Sequence, residues 1–305
     1  MTLPPGGVKV KALESRGFDK SIVTGTGLKY GFFSDHRNKC METPIFNYTK
    51  LIIEKHFAVL SFNRPQAGNG FTEAMGLELL NALHLIASPE VRSVVITGEG
   101  EDFCIGLDPE FLQKEMHQAP QIFRRAVGYL NQVVSELRRL EKPVIAAVNG
   151  RCFGTGFSFA LACDFILAAQ GAIFSSSHIN MGLSPDGGLT YFLTRLVGPQ
   201  KCSELVMTGK SISAKRALEM GIISGVVPPE KLMEEATSLA LYFASGPTLA
   251  LGRAKRLIDT SLCHSLEEQL EEERQGLITM AATQDYREGL EALGEGKKKP
   301  NFKGK

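Results

Sequence analysis

Two stretches of this 305-residue chain carry glycine where an apolar run of strand character passes into a helix. One is FCIGLDP, Phe103–Pro109, and the other is KPVIAAVNGRCFGTGFSFALACD, Lys142–Asp164. In the second, Val144–Val148 has the length and branching of a buried strand, and Phe157–Cys163 reads as a buried helix. Gly150, Gly154 and Gly156 bare the backbone around Thr155, as Gly106 bares it at Leu107. A strand turning through glycine into a helix aims amide N–H groups, and the positive end of the helix dipole, at one point. Such a point stabilises an anion. The same glycines also suit close packing of helix on strand, and the second stretch alone fits either use equally. Taken as a pair, the Leu107 and Thr155 amides can face one carbonyl oxygen as an oxyanion hole.

Other anion-binding readings fail on spacing. A phosphate-binding loop needs glycine five residues before Gly-Lys-Ser, and Glu204 stands there before Gly209–Ser211. Gly98–Phe103 has two glycines at dinucleotide spacing but Phe103 in place of the third. His36, His56, His84, His117 and His264 show no metal-ligand spacing, so no metal is expected. Asp108 before Pro109 suits a helix cap and first turn. Asp186, in Pro-Asp-Gly-Gly, has an ordinary turn composition when read by itself.

The elements that must position these residues follow from periodicity. Lys50–Glu54 and Phe57–Phe62 read as a hairpin, and Thr72 caps a helix whose apolar face includes Met75, Leu79, Leu83 and Ile86. Val91–Thr97 is a buried strand, Gln121–Leu140 a long amphipathic helix, Phe165–Ala168 a strand, and Gly182–Gly188 a turn cluster. Helices are predicted over Leu189–Val197, Ser213–Met220, Glu230–Ala244, Thr248–Thr260 and Ser265–Thr283, with a strand over Ile222–Val227. The tail Lys297–Lys305 is predicted to be solvated or to lie on a neighbouring subunit. Residues 1–40 lack sustained periodicity and are read as a flexible N-terminal arm. With 34 basic and 33 acidic residues the net charge is +1, which argues against a nucleic-acid partner. No apolar stretch suits a membrane span, and six cysteines without a CxxC pair read as reduced residues of a cytoplasmic protein.

With these residues in place, the sequence resembles the enoyl-CoA hydratase/isomerase (crotonase) family from about Lys50 onward. The carriers are NRPQAGNG (Asn63–Gly70), FCIGLD, the long stretch Lys142–Asp164, GLSPDGGLTYFLTRLVG (Gly182–Gly198) and PNFKG (Pro300–Gly304). The resemblance implies an α/β fold, a crotonase-like spiral of ββα units over 41–240 and a helical C-terminal trimerisation region over 241–305. It implies a homotrimer or dimer of trimers acting on an acyl-CoA thioester, with coenzyme A as part of the substrate and no separate cofactor. The thioester carbonyl would sit between the amides of Leu107 and Thr155, with Ala67, Gly106, Asp108 and Gly154 contributing to substrate binding.

The acid/base positions depart from the hydratase pattern. Enoyl-CoA hydratases of the family carry two glutamates, and the matching positions here are Ser158 and His178. Asp186 falls in the slot where some family isomerases, and the 4-chlorobenzoyl-CoA dehalogenases, carry a catalytic carboxylate. The resemblance therefore implies Asp186 as the acid/base, with His178 as a second candidate, and an isomerase moving a 3-enoyl double bond to the 2-position. Hydration or hydrolysis by His178 and Asp186, a dehalogenase-type reaction, and catalytically silent acyl-CoA binding are the alternatives.

Overall fold

The computed structural model describes residues 46–54, 56–294, 296 and 300–305. The arm predicted for 1–40 lies outside them. Strands are β1 (Thr49–Glu54), β2 (Phe57–Phe62), β3 (Ser93–Gly98), β4 (Val144–Val148), β5 (Arg151–Phe153), β6 (Phe165–Ala169), β7 (Ile173–Ser175), β8 (Ile212–Ser213) and β9 (Gly225–Val227). Helices are α1 (Glu73–Ile86), α2 (Pro109–Lys114), α3 (Ala119–Arg139), α4 (Thr155–Ala162), α5 (Leu189–Thr208), α6 (Ala214–Glu219), α7 (Leu232–Ala244), α8 (Thr248–Thr260), α9 (Leu266–Ala281) and α10 (Gln284–Gly294).

The main sheet has the order β1-β2-β3-β4-β6-β9. Only the β1–β2 hairpin is antiparallel; β2, β3, β4, β6 and β9 run parallel. Every residue of β3 and β4 is buried, as parallel strands covered on both faces require. A second sheet has the order β5-β7-β8, and β5 leads directly into Gly154 and α4. The fold is mixed α/β with a helical C-terminal region, as the sequence implied.

Local signals act as expected at several ends. The Thr72 hydroxyl accepts the Met75 N–H at 3.2 Å, starting α1. Ser265 and Glu268 form a capping box at the start of α9. The predicted strand Val91–Thr97 is corrected to Ser93–Gly98, because Val91 N–H turns back to the Ser88 carbonyl at 3.1 Å. The strand predicted over Ile222–Val227 is confined to β9, with Ile222 and Ile223 buried in the preceding turn. The helix expected to stop at Val197 resumes: Gly198 takes φ 78° and ψ 165°, a kink, and Pro199 begins the second half of α5.

The tail prediction also needs correction for residues 300–305. Asp285 accepts Lys303 N–H at 2.6 Å and Gly304 N–H at 2.8 Å, and Arg92 Nη1 donates to Phe302 O at 3.2 Å. The segment is docked on its own chain. Cys104, Cys152, Cys163 and Cys202 are free and buried. Burial pushes the thiols of Cys104 and Cys163 up to about 12, which keeps both protonated and non-nucleophilic at neutral pH.

Gly128, within α3, has open space where a Cβ would sit. Gly128→Ala is therefore expected to stabilise the fold by about 0.5–1 kcal/mol, read as a raised thermal midpoint, by restricting the unfolded chain and improving helix propensity.

Candidate active site

The two glycine turns abut. Gly106 takes φ 103° and Gly154 φ 51°, both in the region that favours glycine. A Cβ on Gly106 would lie 3.6 Å from Thr155 N, and one on Gly154 would lie 3.6 Å from the Gly106 Cα. A parallel bridge, Cys104↔Cys152, ties the two segments together just before the turns. A second bridge, Phe71↔Leu107, is made by Phe71 N–H to Gly106 O and Asp108 N–H to Phe71 O. That pattern uses the amides flanking Leu107 and turns its own N–H to the opposite side. Thr155 opens α4, and the first intrahelical bond is Ser158 N–H to Gly154 O, so the Thr155 N–H has no acceptor within the helix.

Asp186 comes to the same place from the Gly182–Gly188 loop. Its Oδ2 accepts the Thr155 hydroxyl at 2.8 Å. Ser158 Oγ donates towards the Asp186 carbonyl at 3.0 Å and lies 3.4 Å from Oδ1. His178 Nε2 faces Oδ1 at 3.2 Å, and both side chains are nearly enclosed. Nε2 has no aligned hydrogen-bond partner although Oδ1 lies 3.2 Å away. His178 Nδ1 lies 2.8 Å from the Ser176 carbonyl, which only accepts, so this nitrogen carries a proton. A neutral ring would then turn its Nε2 lone pair towards the carboxylate; an imidazolium makes an ion pair instead.

Among the described residues, Leu107, Phe123, Val127, Leu183, Pro185 and Asp186 help line the cavity over this cluster, about 480 Å³ in volume. Residues 53–305 match the family model described as enoyl-CoA hydratase/isomerase. The chain belongs to that family. It is 35% identical over 255 residues to 1,2-epoxyphenylacetyl-CoA isomerase of Escherichia coli K12, covering 83% of this chain and 97% of the relative. It is 36% identical over 261 residues to 2,3-dehydroadipyl-CoA hydratase of the same organism, covering 84% and 100%. The crystal structure of an enoyl-CoA hydratase from Polaromonas sp. JS666 superposes with a TM-score of 0.80 at 35% identity, covering 84% of this chain and 99% of that one.

Within this enoyl-CoA hydratase/isomerase family member, Ser158 and His178 both converge on Asp186. Leu107, Gly106, Thr155 and Gly154 are brought together as expected. Asp108 and Ala67 meet at Gly70, where a Cβ would lie 3.0 Å from the Asp108 Cα and 3.2 Å from the Ala67 carbonyl oxygen. Asp108 is held by Arg64 Nη2 at 2.7 Å and, with Arg64, Tyr48 and Lys114, lines a separate cavity of about 560 Å³. Ala67 lies in a short turn whose carbonyl accepts Gly70 N–H at 2.9 Å, and it is outside the described lining of the Asp186 cavity. The Thr155 and Ser158 hydroxyls join the site without any local composition that marks them for chemistry. Their i, i+3 spacing on α4, which gives both side chains one helix face, is the signal that points to them.

Burial disfavours the His178 imidazolium, but the Asp186 carboxylate and the Ser176 carbonyl outweigh it and raise the pKa above the ordinary 6.5. A raised folded-state pKa contributes stability that is complete below about 6.5 and is lost as pH rises through the folded value. The thermal midpoint is therefore expected to fall across that window, and His178→Gln to flatten the fall. Melting curves of both proteins from acid to alkaline pH check this; parallel curves would refute it.

Proposed function

We propose that this chain is an acyl-CoA isomerase that moves a 3-enoyl double bond to the 2-position, with Asp186 as its acid/base. The observation that carries the reading is a single carboxylate, among the described residues lining the cavity, set beside two abutting glycine turns. With the thioester carbonyl between the Leu107 and Thr155 amides, Asp186 takes a proton from C2. The electron pair spreads over a dienolate whose oxygen the two amides stabilise. Asp186 returns the proton to C4, leaving the double bond between C2 and C3. Water is not consumed, and one carboxylate serves both steps.

Hydration requires a group to activate water and another to protonate carbon. His178 is poorly suited to either task, because Nδ1 is committed to Ser176 and Nε2 faces Asp186. Phe123 is the one aromatic ring besides His178 among the described lining residues, which gives little support to a benzoyl pocket. No cofactor beyond the substrate's coenzyme A is needed by this chemistry.

Assembly as a homotrimer or dimer of trimers belongs to the same proposal. It is supported by a groove along α5 and α8 that exposes Tyr191, Leu196, Ile258 and Leu262. The buried free thiols support a reducing, cytoplasmic setting. Purified protein given 3-enoyl-CoA should yield 2-enoyl-CoA without water uptake. Rapid hydration of 2-enoyl-CoA with no isomerisation would overturn the reading.

A further inference from the structure

We infer that the Thr155 side chain is a positioning residue for Asp186, so that one residue serves both ends of the reaction. Its amide faces the enolate oxygen and its hydroxyl sets the base. This rests on the isomerase reading above.

Asp186 sits in a loop, followed by Gly187 and Gly188 at φ 54° and 78°, so no helix or strand orients its carboxylate. Orientation must come from side-chain contacts. Of those, the Thr155 hydroxyl at 2.8 Å is the shortest, against 3.2 Å for His178 and 3.4 Å for Ser158. A carboxylate only accepts, so the single Thr155 hydroxyl proton is spent on it. The bond spans 31 residues of chain, from the first residue of α4 to the loop. Thr155 is fully buried, so its hydroxyl does not compete with bulk water for that bond.

The substrate fixes the separation of its carbonyl oxygen from C2 by covalent bonds. Placing the receptor for the oxygen and the anchor of the base on one Cα holds the complementary separation in the protein. A small error in such spacing is costly to rate.

Thr155→Val keeps the branched shape and the amide but removes the hydroxyl; Thr155→Ser restores it. The valine variant is expected to lower kcat by about 10- to 100-fold, the value of a hydrogen bond to a charged group, with KM changed little. Serine should return kcat towards wild type. Thr155→Ala gives the same comparison if valine crowds the turn. Exchange of the C2 proton of an acyl-CoA with deuterated water supplies a second readout that does not require double-bond movement. If the wild type exchanges no C2 proton, or Asp186→Asn exchanges normally, the isomerase reading falls and this inference with it. If Asp186→Asn is inert while Thr155→Val exchanges and turns over at the wild-type rate, only the inference is overturned.

Discussion

Asp186→Asn is expected to lower isomerase turnover by about 10²–10⁴-fold while leaving acyl-CoA affinity nearly unchanged. Asparagine is close in shape to aspartate, and its amide oxygen can still accept the Thr155 hydroxyl that now reaches Oδ2 at 2.8 Å. The loop therefore has reason to stay in place. What is lost is the group that receives the C2 proton. The two amides at Leu107 and Thr155 remain, so the carbonyl can still bind and polarise. Loss of the negative charge also removes the ion-pair partner of His178, and the pH dependence of stability assigned to that pair should weaken in parallel. Progress curves on 3-enoyl-CoA give the rate effect, and calorimetry with a saturated acyl-CoA gives the affinity. Retention of more than a tenth of wild-type turnover would mean that another group takes the proton. Equal binding with no turnover in either protein would favour the catalytically silent alternative.

Why Asp186 could be read as a candidate but not as part of a cluster is a matter of distance along the chain. The glycine turns are local: Gly106-Leu107 and Gly154-Thr155 each follow an apolar run, and glycine is what a positive φ at those points requires. The hairpin, the buried strands β3 and β4 and the capped start of α1 are local in the same sense. The Thr155–Asp186 hydrogen bond depends instead on how α4 packs against a loop more than thirty residues later. Composition alone gave Pro-Asp-Gly-Gly an ordinary turn. Ser158 was legible only as the absence of a glutamate, yet its hydroxyl reaches the carbonyl of Asp186 at 3.0 Å. The tail was misread for a related reason. Its charges suggested solvent, but the buried Arg92 reaches Phe302 across 210 positions, and periodicity carries no record of such a contact.

Gly156→Ala is expected to damage stability and catalysis together. A Cβ at Gly156 would stand 2.1 Å from the Cys104 carbonyl oxygen and 2.8 Å from the Cys104 Cβ. Neither neighbour can yield easily. The Cys104 carbonyl already accepts Phe153 N–H at 2.9 Å, and Cys104 N–H donates to Arg151 O at 3.1 Å, within the bridge that joins the two turns. The relief left is for α4 to back away from that bridge. Overpacking of this kind costs about 1–3 kcal/mol, so the thermal midpoint should drop. Because Thr155 precedes Gly156, its amide and its hydroxyl move with the helix, away from the Leu107 amide and the Asp186 carboxylate. Losing one oxyanion donor lowers kcat by about 10²–10³-fold. Gly128→Ala is the matched control, since it adds the same methyl where nothing lies within 4 Å. Turnover should be compared per folded molecule, below the midpoint of the weaker variant. A Gly156→Ala protein that is less stable but turns over normally when folded would show that the spacing of the two turns does not set the rate.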